Sequence, residues 1–306
     1  MNNVTTNIKA LQEETLINLK NSKAVNTLRA YKSDFNDFSL FCIKNGFKSI
    51  PTEPKIVSLY LTNLSTKEIK ISTLKRRLVS IGVIHKLKGH YLDTKHPSIV
   101  ENIMGIKRRK GSVQIGKKPL LINNLKKIIN VIDQQSIAEI KKLRDRSIIL
   151  VGFAGGFRRK ELVSLNFEDL DFVTEGLKIN IRRSKTDQYG EGFTKGLPYF
   201  DTPLFCPVIS IQKWIKLSNI SSGPLFRRFT KGANLLEKRL TDQTVALLIK
   251  EYLNLAGIDN RNYSGHSLRS GFATTAAESG VEERSIMAMT GHKSTAMVRR
   301  YIKDAN

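Results

Sequence analysis

Acidic residues are scarce in this chain. Its 306 residues include 27 Asp and Glu against 51 Lys and Arg, a formal net charge of +24 at pH 7. A surplus of that size excludes a polycation as partner and points to a polyanion. Cysteine is nearly missing as well. Cys42 and Cys206 are far apart and flanked by apolar neighbours, which argues against a disulfide-stapled scaffold and for two buried thiols in a reducing compartment. No apolar run reaches the length of a membrane span, and the first residues lack the basic-then-apolar profile of a leader peptide. The expectation is a cytoplasmic protein with no membrane partner. Internal repeats and low-complexity tracts are also absent.

What is present is spread evenly. Residues 1–110 hold 20 basic and 8 acidic side chains, and residues 111–306 hold 31 and 19, so each part carries a surplus of 12. A basic tail would concentrate charge at one end. Both parts being basic is what two domains touching one phosphate backbone require. Hydrophobic residues make up 40%, enough for two cores.

Periodicity supplies the outline. The first hundred residues read as helices. One amphipathic stretch covers 5–19, with Ile8, Leu11, Leu16 and Leu19 inward. A second follows a Ser22 cap through to Asn45, with Leu28, Tyr31, Phe35, Phe38 and Phe41 at helical spacing and Gly46 as the stop. A short helix covers 56–64, another follows a Ser72 cap over 73–87, and a last one begins at Pro97 and ends in Lys107-Arg108-Arg109-Lys110-Gly111. Residues 111–118 form a basic, glycine-punctuated linker that Pro119 helps to end. Beyond it, 121–132 and 143–157 read as helices, the second nearly all apolar and therefore a buried core element. Leu177, Ile179 and Ile181 then alternate with polar residues as a half-buried strand, 184–192 is a polar turn, and 193–200 returns as its partner. Helices resume over 207–217, 241–256, 267–279, 282–289 and 294–302. The fold class is therefore mainly α: a helical-bundle domain at 1–110, a linker at 111–118, and a mixed α/β domain at 119–306 with a small antiparallel sheet.

Seven side chains in the second domain stand out. Arg158 follows Gly155-Gly156 at the end of the apolar helix, and Glu161 lies one turn on, where it can hold the guanidinium in line. Lys185 sits at the hairpin tip, His266 and Arg269 share one helix face, His292 follows Thr290-Gly291, and Tyr301 stands nine residues later. Each alone has a plainer reading. Arg158 and Glu161 suit a surface pair, His266 a core histidine beside a helix cap, Lys185 a solvated lysine, and Tyr301 a packing residue. In this order they suit one chemistry. A phosphodiester under attack spreads charge over its oxygens, which two guanidinium groups can grip. A lysine can protonate the leaving oxygen, and a histidine can hydrogen-bond the phosphate or the phenol. A free phenol titrates near ~10, so about one part in a thousand is ionised at neutral pH, and a tyrosine nucleophile needs such neighbours.

The ordered set resembles the active site of the tyrosine recombinases, the phage integrase family, most closely the compact two-domain type. The similarity is sharpest over 154–184 and 265–301, and Gly105 to Arg109 resembles the end of the family's core-binding domain. The resemblance implies a site-specific DNA recombinase in which Tyr301 attacks the scissile phosphate, with Arg158, Lys185, His266, Arg269 and His292 as catalytic partners and Glu161 in support. It implies a 3′-phosphotyrosyl intermediate, strand exchange through a Holliday junction, and no metal or cofactor. The expected partners are double-stranded DNA with inverted-repeat half-sites and other copies of the chain, as a tetramer on DNA and a monomer off it. Relatives often carry a longer tail after the tyrosine, whereas five residues follow Tyr301 here. Residues expected to touch DNA are Lys75, Arg76, Arg77, Lys107, Arg108, Arg109, Lys110, Lys117, Lys118, Arg159, Arg182 and Arg183. A related topoisomerase acting as a monomer, and a DNA-binding protein without catalysis, are the alternatives.

Overall fold

A computed structural model of the chain describes residues 8–67, 69–111, 116–182 and 192–292, together with Ser294, Thr295, Val298 and Arg299. The chain divides into two units, Met1–Gln114 and Ile115–Asn306, and the division falls within the basic stretch 111–118.

The first unit is helical: α1 (Ile8–Asn21), α2 (Val25–Lys44), α3 (Pro54–Thr66), α4 (Ile71–Leu87) and α5 (Pro97–Lys110). Pro54 and Pro97 each occupy a first turn, where a missing N–H costs nothing. The core gathers Phe38, Cys42, Tyr60, Leu61, Leu74, Ile81, Ile99 and Ile103, with Phe38 meeting Tyr60 edge to face at 5.1 Å. Burial pushes the Cys42 thiol up to about 11, so it is inert as a nucleophile.

Three expectations need correction here. α2 starts at Val25 with Ala24 at its N-cap, and α4 starts at Ile71 with Lys70 there, so neither Ser22 nor Ser72 is the cap. Leu11 on α1 and Leu28 on α2 are exposed, and the packed part of α2 begins only at Asp34 and Phe35. Asp34 is itself buried and accepts hydrogen bonds from Ser80 Oγ at 2.7 Å and from Arg76.

Near the start of the second unit, Lys118 N–H donates to the Asn262 carbonyl at 2.7 Å and Leu120 N–H to the Ser267 carbonyl at 2.9 Å. α6 (Ile122–Gln134), α7 (Glu139–Ala154) and α8 (Arg159–Ser164) follow. An antiparallel sheet then forms from β1 (Leu170–Val173), β2 (Gly176–Ile181) and β3 (Phe193–Pro198) in that order. α9 (Pro207–Ser218), a hairpin of β4 (Arg227–Phe229) and β5 (Leu235–Arg239), α10 (Asp242–Leu255), α11 (Ser267–Glu278) and α12 (Glu283–Thr290) complete it. Beyond α12, Thr295, Val298 and Arg299 are helical, with Val298 buried against Ala273 and Ile286.

α7 lies at the centre: every residue from Leu143 to Phe153 is buried, as a helix covered on all sides demands. It begins four residues earlier than its apolar run predicts. Its charged start is paired inside the protein, Arg144 with Asp145 at 2.7 Å and Arg146 with Asp133. Gly271 lets α11 approach the segment that leads into α6, since a Cβ there would lie 2.0 Å from the Leu120 carbonyl oxygen. Among the described residues, no helix is long and apolar enough to cross a membrane.

Candidate active site

The site is built at the buried end of α7. A helix leaves its last carbonyls without intrahelical partners, and here water does not reach them. Cations take its place. Arg269, on α11 and fully buried, donates from Nη1 to the Gly156 carbonyl at 2.9 Å. Lys195, on β3, donates from Nζ to the Gly155 carbonyl at 2.6 Å. The negative end of the helix dipole favours positive charge at this place.

Arg158 follows the same turn. Its Nη1 donates to Glu161 Oε1 at 2.6 Å, and its own N–H donates to Glu161 Oε2 at 3.0 Å. One carboxylate thus caps α8 and fixes the guanidinium, the pairing that the spacing of the two residues suggested. Nη2 of Arg158 also donates to the Gly291 carbonyl at 3.4 Å. Its side chain keeps 18% exposure, so the guanidinium remains open to an incoming anion.

The other wall comes from the end of α12. Gly291 takes the left-handed conformation, φ 63°, that turns the chain out of the helix. This swings His292 inward, leaving it 6% exposed. Its Nδ1 lies 2.7 Å from Thr290 Oγ1, while that hydroxyl donates to the Ile286 carbonyl at 2.6 Å. With its proton so committed, the hydroxyl accepts from Nδ1–H, and the lone pair of the neutral ring is on Nε2. Burial, then the Arg269, Arg158, His266 and Lys195 charges, push His292 down to about 3. It is a neutral imidazole at pH 7. His266 stands at the N-cap position of α11 and is exposed.

Lys195 is a buried charge at the centre of this cluster that sequence reasoning missed. β3 alternates, with Lys195 and Leu197 inward, and Lys195 opposes Ile179 across the ladder. The side chain is 2% exposed. Its ammonium also donates to the Met289 carbonyl in the last turn of α12, and it lies 4.9 Å from the Phe157 ring centre and 5.3 Å from that of Phe193. Burial pulls its pKa down to about 7, Glu161 opposing the fall while Arg269 and Arg158 add to it. The available signal was a charged residue at the inward phase of a strand, where an apolar one belongs.

Arg158, Glu161, Arg269 and His292 are therefore gathered around one turn, with His266 near enough for its charge to act on His292. Lys185, Arg183 and Tyr301 lie outside the described residues. The remaining basic residues sort by environment. Lys75 and Lys107 to Lys110 are exposed. Arg76 and Arg77 face carboxylates of α2, and Arg77 also meets Tyr60. Arg109 donates to Ser65 Oγ at 3.4 Å, Lys117 to the Arg261 carbonyl at 2.7 Å, and Arg182 to Asp169 at 2.6 Å. Lys118 is exposed, and Arg159 runs its aliphatic stem over Gly265. Among the described residues no cluster of His, Cys, Asp and Glu is suited to a metal ion.

A crowd of like charges around a buried guanidinium suits an anion, and the two forked donors suit a phosphate. The fold agrees. It matches a XerH site-specific recombinase bound to its palindromic difH substrate in a post-cleavage complex, with a TM-score of 0.70 and 18% identity, over 92% of this chain and 78% of that one. It also matches a lambda integrase tetramer bound to a Holliday junction, with a TM-score of 0.60 and 16% identity, over 97% of this chain and 77% of that one. That likeness is one of fold; sequence kinship supplies the class, a DNA breaking-and-rejoining enzyme. Residues 119–306 match the phage integrase family, and an integrase/recombinase xerD homolog of Selenomonas ruminantium is 38% identical over 94% of this chain and 84% of its own length. The chain belongs to the phage integrase family and is a tyrosine recombinase. Kinship of this kind favours site-specific recombination over the topoisomerase and non-catalytic alternatives.

Proposed function

We propose that the chain cuts DNA by attack of Tyr301 Oη on a backbone phosphate, forming a 3′-phosphotyrosyl bond and releasing a 5′-hydroxyl. A hydroxyl from a partner strand then attacks the phosphotyrosine and frees the enzyme. The phosphoester bond is conserved, so no energy source is consumed. Arg158 and Arg269 stabilise the charge that grows on the phosphate oxygens. Neutral His292 has an Nε2 lone pair able to accept a hydrogen bond from the phenol or, as the reaction proceeds, its proton. His266 adds a donor at the mouth of the site, and Lys185 protonates the leaving oxygen. Glu161 acts through Arg158.

The observation that carries this reading is that Arg269 anchors on the Gly156 carbonyl, in the turn from which Arg158 springs, while Arg158 reaches the Gly291 carbonyl next to His292. A bound phosphate also relieves their mutual repulsion, which raises the pKa of His292 and Lys195 on binding. The partner is duplex DNA with inverted-repeat half-sites, and four copies exchange strands in pairs in the cytoplasm, at the nucleoid. Both units contribute basic side chains, Lys75 and Lys107 to Lys110 from the first, Lys117, Lys118 and Arg159 from the second.

The test is covalent capture. A nicked duplex, selected from a randomised library by denaturant-stable attachment to the wild-type protein, should give an adduct that Tyr301→Phe does not form. An adduct undiminished in Tyr301→Phe would remove the tyrosine from its role.

A further inference from the structure

We propose that Lys195 is a positioning residue of the reaction: its ammonium, held between the carbonyls of Gly155 and Met289, ties the turn that presents Arg158 to the helix end that presents His292, and its charge keeps the phosphate-gripping groups assembled. The inference rests on the recombinase reading above and extends it to a residue outside the expected catalytic set.

The geometry is specific. Gly155 stands three residues before Arg158, and Met289 three before His292, so one side chain holds the roots of both. Both carbonyls belong to helix ends, α7 and α12, where the dipole is negative. Two aromatic faces complete the shell, from Phe157 in the turn and Phe193 on β3. No carboxylate among the described residues forms an ion pair with Lys195. A lysine kept inside under these terms needs a reason, because a methionine would fill the space without the desolvation cost.

The charged groups that act on it are Glu161 from α8, Arg158 just ahead of α8, and Arg269 from α11; His292, after α12, senses its charge in turn. Burial leads in drawing its pKa to about 7, so the ammonium titrates near neutrality in the DNA-free protein. The neutral amine still has two N–H donors but loses the charge that strengthens both hydrogen bonds and the ring contacts. Stability and catalysis then move in opposite directions. Because the folded pKa lies below the unfolded one, near ~10.4, the unfolded chain binds the extra proton between them, and stability rises as pH climbs through that window. Cleavage depends on the protonated form and falls over the same climb. A residue with only a structural role would move the two together.

The experiment compares wild type with Lys195→Met, and with Lys195→Gln, which keeps two N–H donors but no charge. Adduct formation on the captured nicked duplex is measured below saturation, so that the limb reports the DNA-free protein. Urea unfolding, read from the single tryptophan, Trp214, in the second unit, is measured over the same pH range. The expected result is a wild-type to Lys195→Met rate ratio of about 10²-fold at pH 6, of the size that a misplaced site gives, shrinking as pH passes 7. Lys195→Met should be at least as stable as wild type at pH 6, and Lys195→Gln should share the rate loss. A rate ratio flat in pH, a loss that tracks a loss of stability, or no loss at all would overturn the proposal while leaving Tyr301 chemistry standing. Should either variant fail to fold, the opposed wild-type pH profiles of rate and stability decide alone. Wild type attaching to no duplex in the library would end both readings.

Discussion

Thr290 decides what His292 can do. By donating to Ile286 and accepting from Nδ1, it fixes the ring's tautomer and leaves Nε2 as the basic nitrogen. The spacing from His292 to Tyr301 was legible in the sequence, but this tautomer was not, since it depends on a hydroxyl two residues away whose proton is spent elsewhere. Glu161 was legible because an i, i+3 pair is local. Lys195 was not, because its partners are carbonyls from two distant helix ends. The depressed pKa of His292, about 3, has a thermodynamic signature. Its folded pKa is below the unfolded value, so its neutral form stabilises the fold above pH ~6.5, and that contribution is lost as pH falls toward the folded pKa. His292→Asn should narrow the gap in unfolding free energy between pH 7 and pH 4.5 by about 2 kcal/mol, measured by urea titration of Trp214 fluorescence. An unchanged gap would mean that the imidazole is no harder to protonate than in the unfolded chain.

Elements whose apolar period is unbroken were readable from sequence, and those with charged interiors were not. The strand pair β2 and β3 follows the alternation of Leu177, Ile179 and Ile181. The start of α7, Glu139 to Lys142, was missed because Glu139, Lys141 and Lys142 precede the apolar run, and Arg144-Asp145-Arg146 gives no hint that its charges find partners inside. Asp145 is fully buried, pairs with Arg144, and accepts from Tyr252 Oη at 2.8 Å. The β4–β5 hairpin was missed for a similar reason: its strands carry Arg227, Arg228, Glu237, Lys238 and Arg239, and their polar edges hide the period. Removing one member of a buried pair strands the other. Asp145→Ala should therefore destabilise the second unit by about 3–5 kcal/mol, read from the denaturant midpoint of Trp214. A loss below about 1 kcal/mol would mean that water reaches Arg144 and replaces the carboxylate.

At the level of the whole chain, the charge balance already indicated the class of partner. An equal surplus in both parts is unusual for a protein with one basic tail and natural for one that contacts a backbone with both units. Each phosphate neutralised releases condensed counterions. With six to ten such contacts, duplex affinity should fall by about 10³–10⁵ between 50 and 200 mM salt. Fluorescence anisotropy of a labelled duplex over that interval checks it, and a change under about tenfold would mean that few phosphates are touched. Base preference is not legible at this scale, because it depends on a handful of groove contacts and on the deformability of the DNA.

The grips around the candidate site end mostly on main-chain oxygen: Gly155 and Met289 for Lys195, Gly156 for Arg269, Gly291 for Arg158. Peptide oxygens survive every substitution. Evolution can therefore repaint the side chains around this framework, retuning which sequence is bound, without erasing the anchors themselves. What those four positions must conserve is a path of the backbone and not a functional group.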